Sequence, residues 1–299
     1  MRLVLSTGFA ELGNYWGDWF AGKQVGGSEW IVLNLAREFV SLGHQVSLRL
    51  PYNAEPFIWQ GVRMFGRQAG VIHGDASFCF DQYGEFDDTP NRILVACRSD
   101  APRHTDFTRM VFLSRTHARL MGHPDSPSIG GGVNLADYER SLQRTPGLVI
   151  CTSSPDRCVA AFDIGAQFRN FVFTYKPVGG LPLTKQLDRK ALVELQRRAR
   201  VHIYPLAPRR PSDFFSMSVL ESLAAGTPVI VSDADSMVEL WGSCTTVLKR
   251  PIRIAEWVGA VEELLMNKVL WNRLSLAGKR AAEFYDWPLV AKRYLAALS

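Results

Sequence analysis

The sequence predicts an α/β protein built on two parallel sheets, one in each half of the chain. Three observations predict it. Short apolar strands alternate with amphipathic helical segments, the pattern of parallel sheets with helices on both faces. The alternation breaks at the polar segment Thr145-Pro146-Gly147 and restarts with a new apolar strand, "LVICTS". With 299 residues and 47% hydrophobic content, the chain is also long enough to divide its core in two. The expected boundaries are a first Rossmann-like domain over 1–146, a second over 147–285, and a C-terminal helix over 286–299 that packs back towards the first. Two such sheets facing each other are expected to make a cleft.

The elements follow in order. "RLVLS" reads as a buried strand. "GGSEWIVLNLAREFVSLG" reads as a helix, with Trp30, Leu33, Leu35, Phe39 and Leu42 roughly on one side and Gly43 as its end. Strands follow at "HQVSLRL", "GVRMFG", "SFCFDQ", "RILVAC" and "MVFLS", then a short helix at "RTHARLM". The second half runs "LVICTS", "NFVFTY", the helix "KALVELQRRA", the strand "VHIYP", a helix starting near Ser216, a β-branched strand, "TTVL" and three terminal helices. Open parallel sheets bind ligands beyond the carboxyl ends of their strands, so the loops after each strand are where chemistry belongs.

Composition narrows the function classes. The five cysteines are scattered and odd in number, with no CxxC pair, so neither a disulfide framework nor a zinc site is expected. A reducing cytoplasm fits that usage. Met1 runs directly into an apolar strand, which reads as no leader peptide, and no uninterrupted apolar run reaches bilayer length. Residues 1–146 carry 14 Lys and Arg against 15 Asp and Glu, while the remainder carries 20 against 14. The basic surplus of the second half is compatible with a small anion such as phosphate, and equally with a solvated face.

The stretch "DFFSMSVLESLAAGTPVIVSD", residues 213–233, is the most informative. A strand and loop lead into a helix that begins near Ser216. The first-turn amides of such a helix and its dipole make an anion site. Asp213 lies just before that turn and Glu221 further along the helix; Gly226-Thr227-Pro228 ends it. A phosphate seat flanked by two carboxylates, which accept hydroxyl hydrogen bonds, matches a nucleotide sugar. The same stretch also reads as a capped helix before a buried strand, which is ordinary α/β architecture.

The stretch resembles the signature of glycosyltransferase family 4, whose fold is GT-B: an acid, seven residues, a second acid, a small-residue helix end and "GTPVI". The resemblance implies that Asp213 contacts the donor sugar and Glu221 the ribose. The amides around Ser216, Met217 and Ser218 then hold the diphosphate. Asp in place of the usual Glu shortens the reach by one methylene, which bears on sugar choice. "GGSE", with Gly26 and Gly27, resembles the family's Gly-rich loop near the donor phosphate and the acceptor. "GGGVNLADY" resembles its "NGVD" segment, with Gly131 where the Asn belongs. "CTSSPDRCV" resembles the "SSPDRG" of one branch, which puts Arg157 on the diphosphate and Cys158 in place of a Gly. Lys176, after "NFVFTY", is a second phosphate candidate. In "RSDAPRH", Cys97 and Arg98 occupy the point where the family has a sugar-contacting His, and Asp100 and His104 remain candidates for acceptor contact.

The resemblance implies a retaining glycosyltransferase that moves a sugar from a nucleotide-diphosphate sugar to an acceptor hydroxyl, with no cofactor and no metal. Asp233 and Asp235 imitate the Asp-x-Asp metal site of the other glycosyltransferase fold, but their flanks are those of GT-B proteins. The six His show no ligand spacing. Three acceptors stay open. A glycan or lipid-linked glycan is the commonest in the family. A hydroxymethylated DNA base is the second, because Arg92–Arg119 carries six Arg with Phe107 and Phe112 among them. A protein side chain or small metabolite is the third. Of other classes, a nucleotide-sugar epimerase or a non-catalytic nucleotide-sugar-binding module remains, although no acid and base set for an epimerase stands out.

Overall fold

Each half of the chain folds around its own sheet. The structure, a computed structural model, describes residues 1–7, 27–81, 87–97, 107–139, 142–153, 157–174, 187–206 and 213–299. Among these, a first compact unit takes residues 1–132 together with Trp287–Ser299, and a second takes Val133–Asp286.

In the first unit the order is β1 (Arg2–Thr7), α1 (Gly27–Ser41), β2 (Gln45–Arg49), β3 (Phe57–Trp59), β4 (Val62–Phe65), β5 (Ala76–Phe80), β6 (Asn91–Ala96), β7 (Arg109–Phe112) and α2 (Arg115–Leu120). The strands lie in the order β3-β4-β2-β1-β5-β6-β7, parallel throughout except for β3 against β4. Strand β5 is buried along its whole length, as a strand covered on both faces must be, and so it reads as one apolar run. The edge strand β3 was not expected. It pairs with β4 through a two-residue turn in which Gln60 (φ 47°) and Gly61 (φ 83°) both take positive φ, the type I′ geometry that suits hairpin twist. Helix α1 buries Ile31, Val32, Leu35 and Phe39, and the Phe39 ring meets Phe78 of β5 at 5.3 Å. Of the expected face, Leu33, Leu35 and Phe39 are buried, while Trp30 is half-buried and Leu42 exposed.

The second unit runs α3 (Ala136–Glu139), β8 (Val149–Cys151), α4 (Ala160–Gly165), β9 (Phe171–Phe173), α5 (Arg189–Arg198), β10 (Val201–Tyr204), α6 (Met217–Ala224), β11 (Val229–Ser232), α7 (Met237–Trp241), β12 (Thr246–Leu248), α8 (Ile254–Met266) and α9 (Lys268–Glu283). All five strands are parallel, in the order β12-β11-β10-β8-β9. Numbered within the unit this is 2-1-3-4-5, so the strand order reverses between β8 and β10, the place where doubly wound sheets take ligands. The unit begins at Val133, ahead of the polar break at Thr145, because the intervening residues are tied to it. The Tyr138 hydroxyl donates to Gln196 Oε1 at 3.0 Å. The Arg144 guanidinium donates to the carbonyls of Ala199 (2.9 Å), Gln196 (3.3 Å) and Ala225 (2.6 Å).

The last helix, α10 (Trp287–Ala296), belongs to the first unit and packs on α1. Trp287, Val290, Ala291 and Tyr294 are buried there, and the Tyr294 hydroxyl donates to the Ile129 carbonyl at 3.0 Å. Among the described residues, no helix is long and apolar enough to cross a membrane.

Candidate functional site

The reversal point of the second sheet carries a cluster of polar side chains. Strand β8 pairs with β10 through Val149 with Val201 and Ile150 with His202. Beyond the paired residues the two strands part, and α6 starts against the end of β8. The Ser218 hydroxyl donates to the Thr152 carbonyl at 2.5 Å, and the two side-chain hydroxyls also touch. Ser216 is the N-cap: its hydroxyl accepts from the Val219 N–H at 3.3 Å. That cap satisfies one first-turn amide and leaves those of Met217 and Ser218 without an intrahelical acceptor. Beneath this junction lies His202, fully buried, with Nε2 3.4 Å from the Thr152 N–H. Burial pushes its pKa down to about 3.

Asp213 sits one turn before α6, 3% exposed. Its Oδ2 accepts from the Tyr204 hydroxyl at the end of β10 and lies 3.7 Å from Arg157 Nη1. Its own N–H donates to Asp235 Oδ2 at 3.1 Å. Burial raises the Asp213 pKa above the ordinary carboxylate range, against the pull of the Arg157 charge. Burial, reinforced by the Asp213 charge, likewise holds the Tyr204 phenol well above its usual value.

Glu221 lies on the next turn, also buried. Arg189 Nη1 donates to its Oε1 at 2.5 Å and Gln196 Nε2 to its Oε2 at 3.1 Å. The Arg189 Nη2 reaches the Tyr138 hydroxyl at 3.3 Å, which closes a ring of four side chains from α3, α5 and α6. Burial works against the charge on Arg189, but the Glu221 carboxylate outweighs it, and the guanidinium is held above its ordinary pKa.

The structure therefore brings Arg157, Asp213, Ser216, Met217, Ser218 and Glu221 into one neighbourhood of the second unit. Gly27 opens α1 in the first unit, exposed. Gly26, Asp100, His104 and Lys176 lie outside the described residues, as do Arg98 and Arg103. Sequence reasoning missed Tyr204, Arg189, Gln196, Tyr138 and Thr152; the available signal was position, since Tyr204 and Thr152 both lie at carboxyl ends of strands. Of the Asp-x-Asp pair, Asp235 accepts the Asp213 N–H, and Asp233 Oδ1 accepts the Arg250 N–H at 2.8 Å. Among the described residues, no three His, Cys, Asp or Glu are grouped to hold a metal ion. In the arginine-rich segment, Arg109 is turned to the carbonyls of Ala297 (3.0 Å) and Ser299 (3.2 Å).

Residues 179–281, which include Asp213, α6 and Glu221, match the family model described as glycosyl transferases group 1. A phosphatidyl-myo-inositol mannosyltransferase of Mycobacterium leprae is 28% identical over 211 residues, 69% of this chain and 51% of its own length. AviGT4, a glycosyltransferase involved in avilamycin A biosynthesis, is similar in structure with a TM-score of 0.69 at 17% identity, over 100% of this chain and 97% of its own. The chain has the GT-B fold and is similar to the group 1 glycosyl transferases. Among GT-B neighbours, HepE of Anabaena, solved with UDP and glucose, gives a TM-score of 0.66 at 12% identity, over 100% of this chain and 99% of its own. The chain spans about half the length of the curated relatives it matches. None of these similarities supports a DNA acceptor for it.

Proposed function

We propose that the protein transfers a hexosyl group from a nucleotide-diphosphate sugar to a hydroxyl of a glycan or lipid-linked glycan, with retention and without a bound metal. The observation that carries this reading is the junction at the sheet's reversal point. There the capped N-terminus of α6 meets the end of β8, with the Arg157 cation beside it. The open amides of Met217 and Ser218 and the half-exposed guanidinium supply the donors a diphosphate needs. They also stabilise the charge that develops on the leaving diphosphate as the sugar departs, where it forms. Glu221 is the second acid of the signature; it is buried against Arg189 and Gln196, so a ribose contact would have to use the carboxylate lone pairs those two leave over. The similarity to a phosphatidyl-myo-inositol mannosyltransferase and to UDP-bound HepE supports the same donor chemistry.

The test is nucleotide release from a panel of UDP and GDP sugars, with and without glycan acceptors. Turnover of at least one donor is expected, unchanged by EDTA, and NMR of the product should show the anomeric configuration of the donor. In parallel, UDP or GDP at about 100 times its Kd should stabilise the fold by about 2.7 kcal/mol. Arg157→Gln should lower turnover by more than tenfold, since a charge-assisted contact is worth about 1.5 to 3 kcal/mol. Its stability should stay near that of the parent, because the side chain is 42% exposed. A panel in which no donor binds or turns over would sink the reading.

A further inference from the structure

Asp213 stands where the family signature places an acid against the donor sugar, yet its side chain is turned inward. We infer that Asp213 is a positioning residue: together with Tyr204 it holds the Arg157 guanidinium at the diphosphate, and it does not itself reach the sugar. The inference rests on the donor reading above.

Access separates the two side chains. That of Asp213 is 4% exposed and that of Arg157 is 42% exposed, so the cation is the group with reach. The carboxylate is held from several directions. Oδ2 accepts from the Tyr204 hydroxyl, the Phe215 N–H also donates to the carboxylate, and Arg157 Nη1 lies 3.7 Å away. Tyr204 is the last residue of β10 and is 2% exposed, so its own place is fixed by the sheet. The N–H of Asp213 is tied to Asp235, which fixes the backbone that carries the carboxylate. A Glu here would extend the carboxylate by one methylene; the shorter Asp keeps it against Tyr204.

Electrostatics point the same way. A carboxylate beside a phosphate seat repels the ligand, so on charge alone Asp213 weakens binding. A long arginine side chain also loses rotamer freedom when it engages a phosphate, a cost that falls if the guanidinium is already aimed. Holding Arg157 in place is the contribution that offsets the repulsion.

The two roles part cleanly on a ligand that lacks the sugar. Calorimetric binding of UDP and GDP, and of UDP-glucose and GDP-mannose, would be measured on the parent, Asp213→Asn, Tyr204→Phe, Arg157→Gln and the Asp213→Asn/Arg157→Gln double variant. The anchor predicts that Asp213→Asn and Tyr204→Phe each weaken the bare nucleoside diphosphate by about tenfold, and its nucleotide sugar by the same factor. The double variant should bind no more weakly than Arg157→Gln alone, because both changes remove one contact. Unchanged or tighter diphosphate binding by Asp213→Asn, with loss confined to the nucleotide sugar, would overturn the inference and return Asp213 to the sugar. Tyr204→Phe conserves the charge and decides the matter if Asp213→Asn does not fold: parental affinity there also overturns the anchor. A parent that binds none of the four ligands would instead overturn the donor reading, and the anchor with it.

Discussion

Replacing Glu221 by Ala is expected to cost the second unit about 3–5 kcal/mol of stability, the usual loss when one partner of a buried ion pair is removed. The Glu221 side chain is 6% exposed and that of Arg189 is 24% exposed. With the carboxylate gone, the guanidinium keeps only the Tyr138 hydroxyl among the groups of the ring, and the Gln196 amide loses its acceptor. Each group left buried without a partner bears its own desolvation cost. Glu221→Gln should be milder, at about 1–3 kcal/mol, because its amide oxygen can still accept from Arg189. The measurement is the urea midpoint of the three proteins, read at constant slope. A loss near zero for the Ala variant would mean that water reaches the pair and that it behaves as a surface bridge. The result also governs how the ribose assignment is tested. Loss of nucleotide binding in Glu221→Ala would report the collapse of the ring, so the Gln variant is the one that isolates a ligand contact.

That ring shows what the sequence could and could not convey. The helix start at Ser216, with Asp213 one turn before it and Glu221 one turn on, was legible because an N-cap fixes that spacing, and the small residues at 224–226 mark the helix end. The partners of the two acids were not. Tyr204 meets Asp213 and Arg189 meets Glu221 only because separate elements converge, and no local period records such a meeting. The parallel sheets were legible from apolar runs such as "SFCFDQ" and "RILVAC". Strand β3 was not, because three residues carry no period and the glycine of its turn was absorbed into the following strand. Helix α4 escaped because its six residues carry no side-chain cap, whereas the equally short α2 is capped by Ser114. The start of the second unit was set by the Arg144 and Tyr138 contacts, which a polar break at residue 145 could not reveal.

Acidification from pH 7 to pH 5 should destabilise the second unit by about 2 kcal/mol through His202 alone, since each full pH unit of unequal proton binding is worth about 1.4 kcal/mol. His202 lies in β10 with none of its surface exposed, and its Nε2 faces the N–H and the hydroxyl of Thr152, so the folded unit holds the neutral ring. Burial sets the folded pKa at about 3, against 6.5 for an unhindered imidazole. Between those two values the unfolded chain binds a proton that the folded chain does not. The contribution is therefore complete above about pH 6.5 and is lost as the pH falls towards 3. Asp213 works in the opposite sense near the acid end, because its raised pKa makes the folded state bind a proton before the unfolded state does. The clean measurement is thus a difference: urea stability of the parent minus that of His202→Gln, at pH 7 and at pH 5. Gln keeps an acceptor for the Thr152 N–H and does not titrate. The gap between the two proteins should move by about 2 kcal/mol over that interval, in favour of the variant at low pH. Parallel profiles would show that His202 takes up its proton inside the folded unit, which would require water or a counter-charge at the junction of β8, β10 and α6.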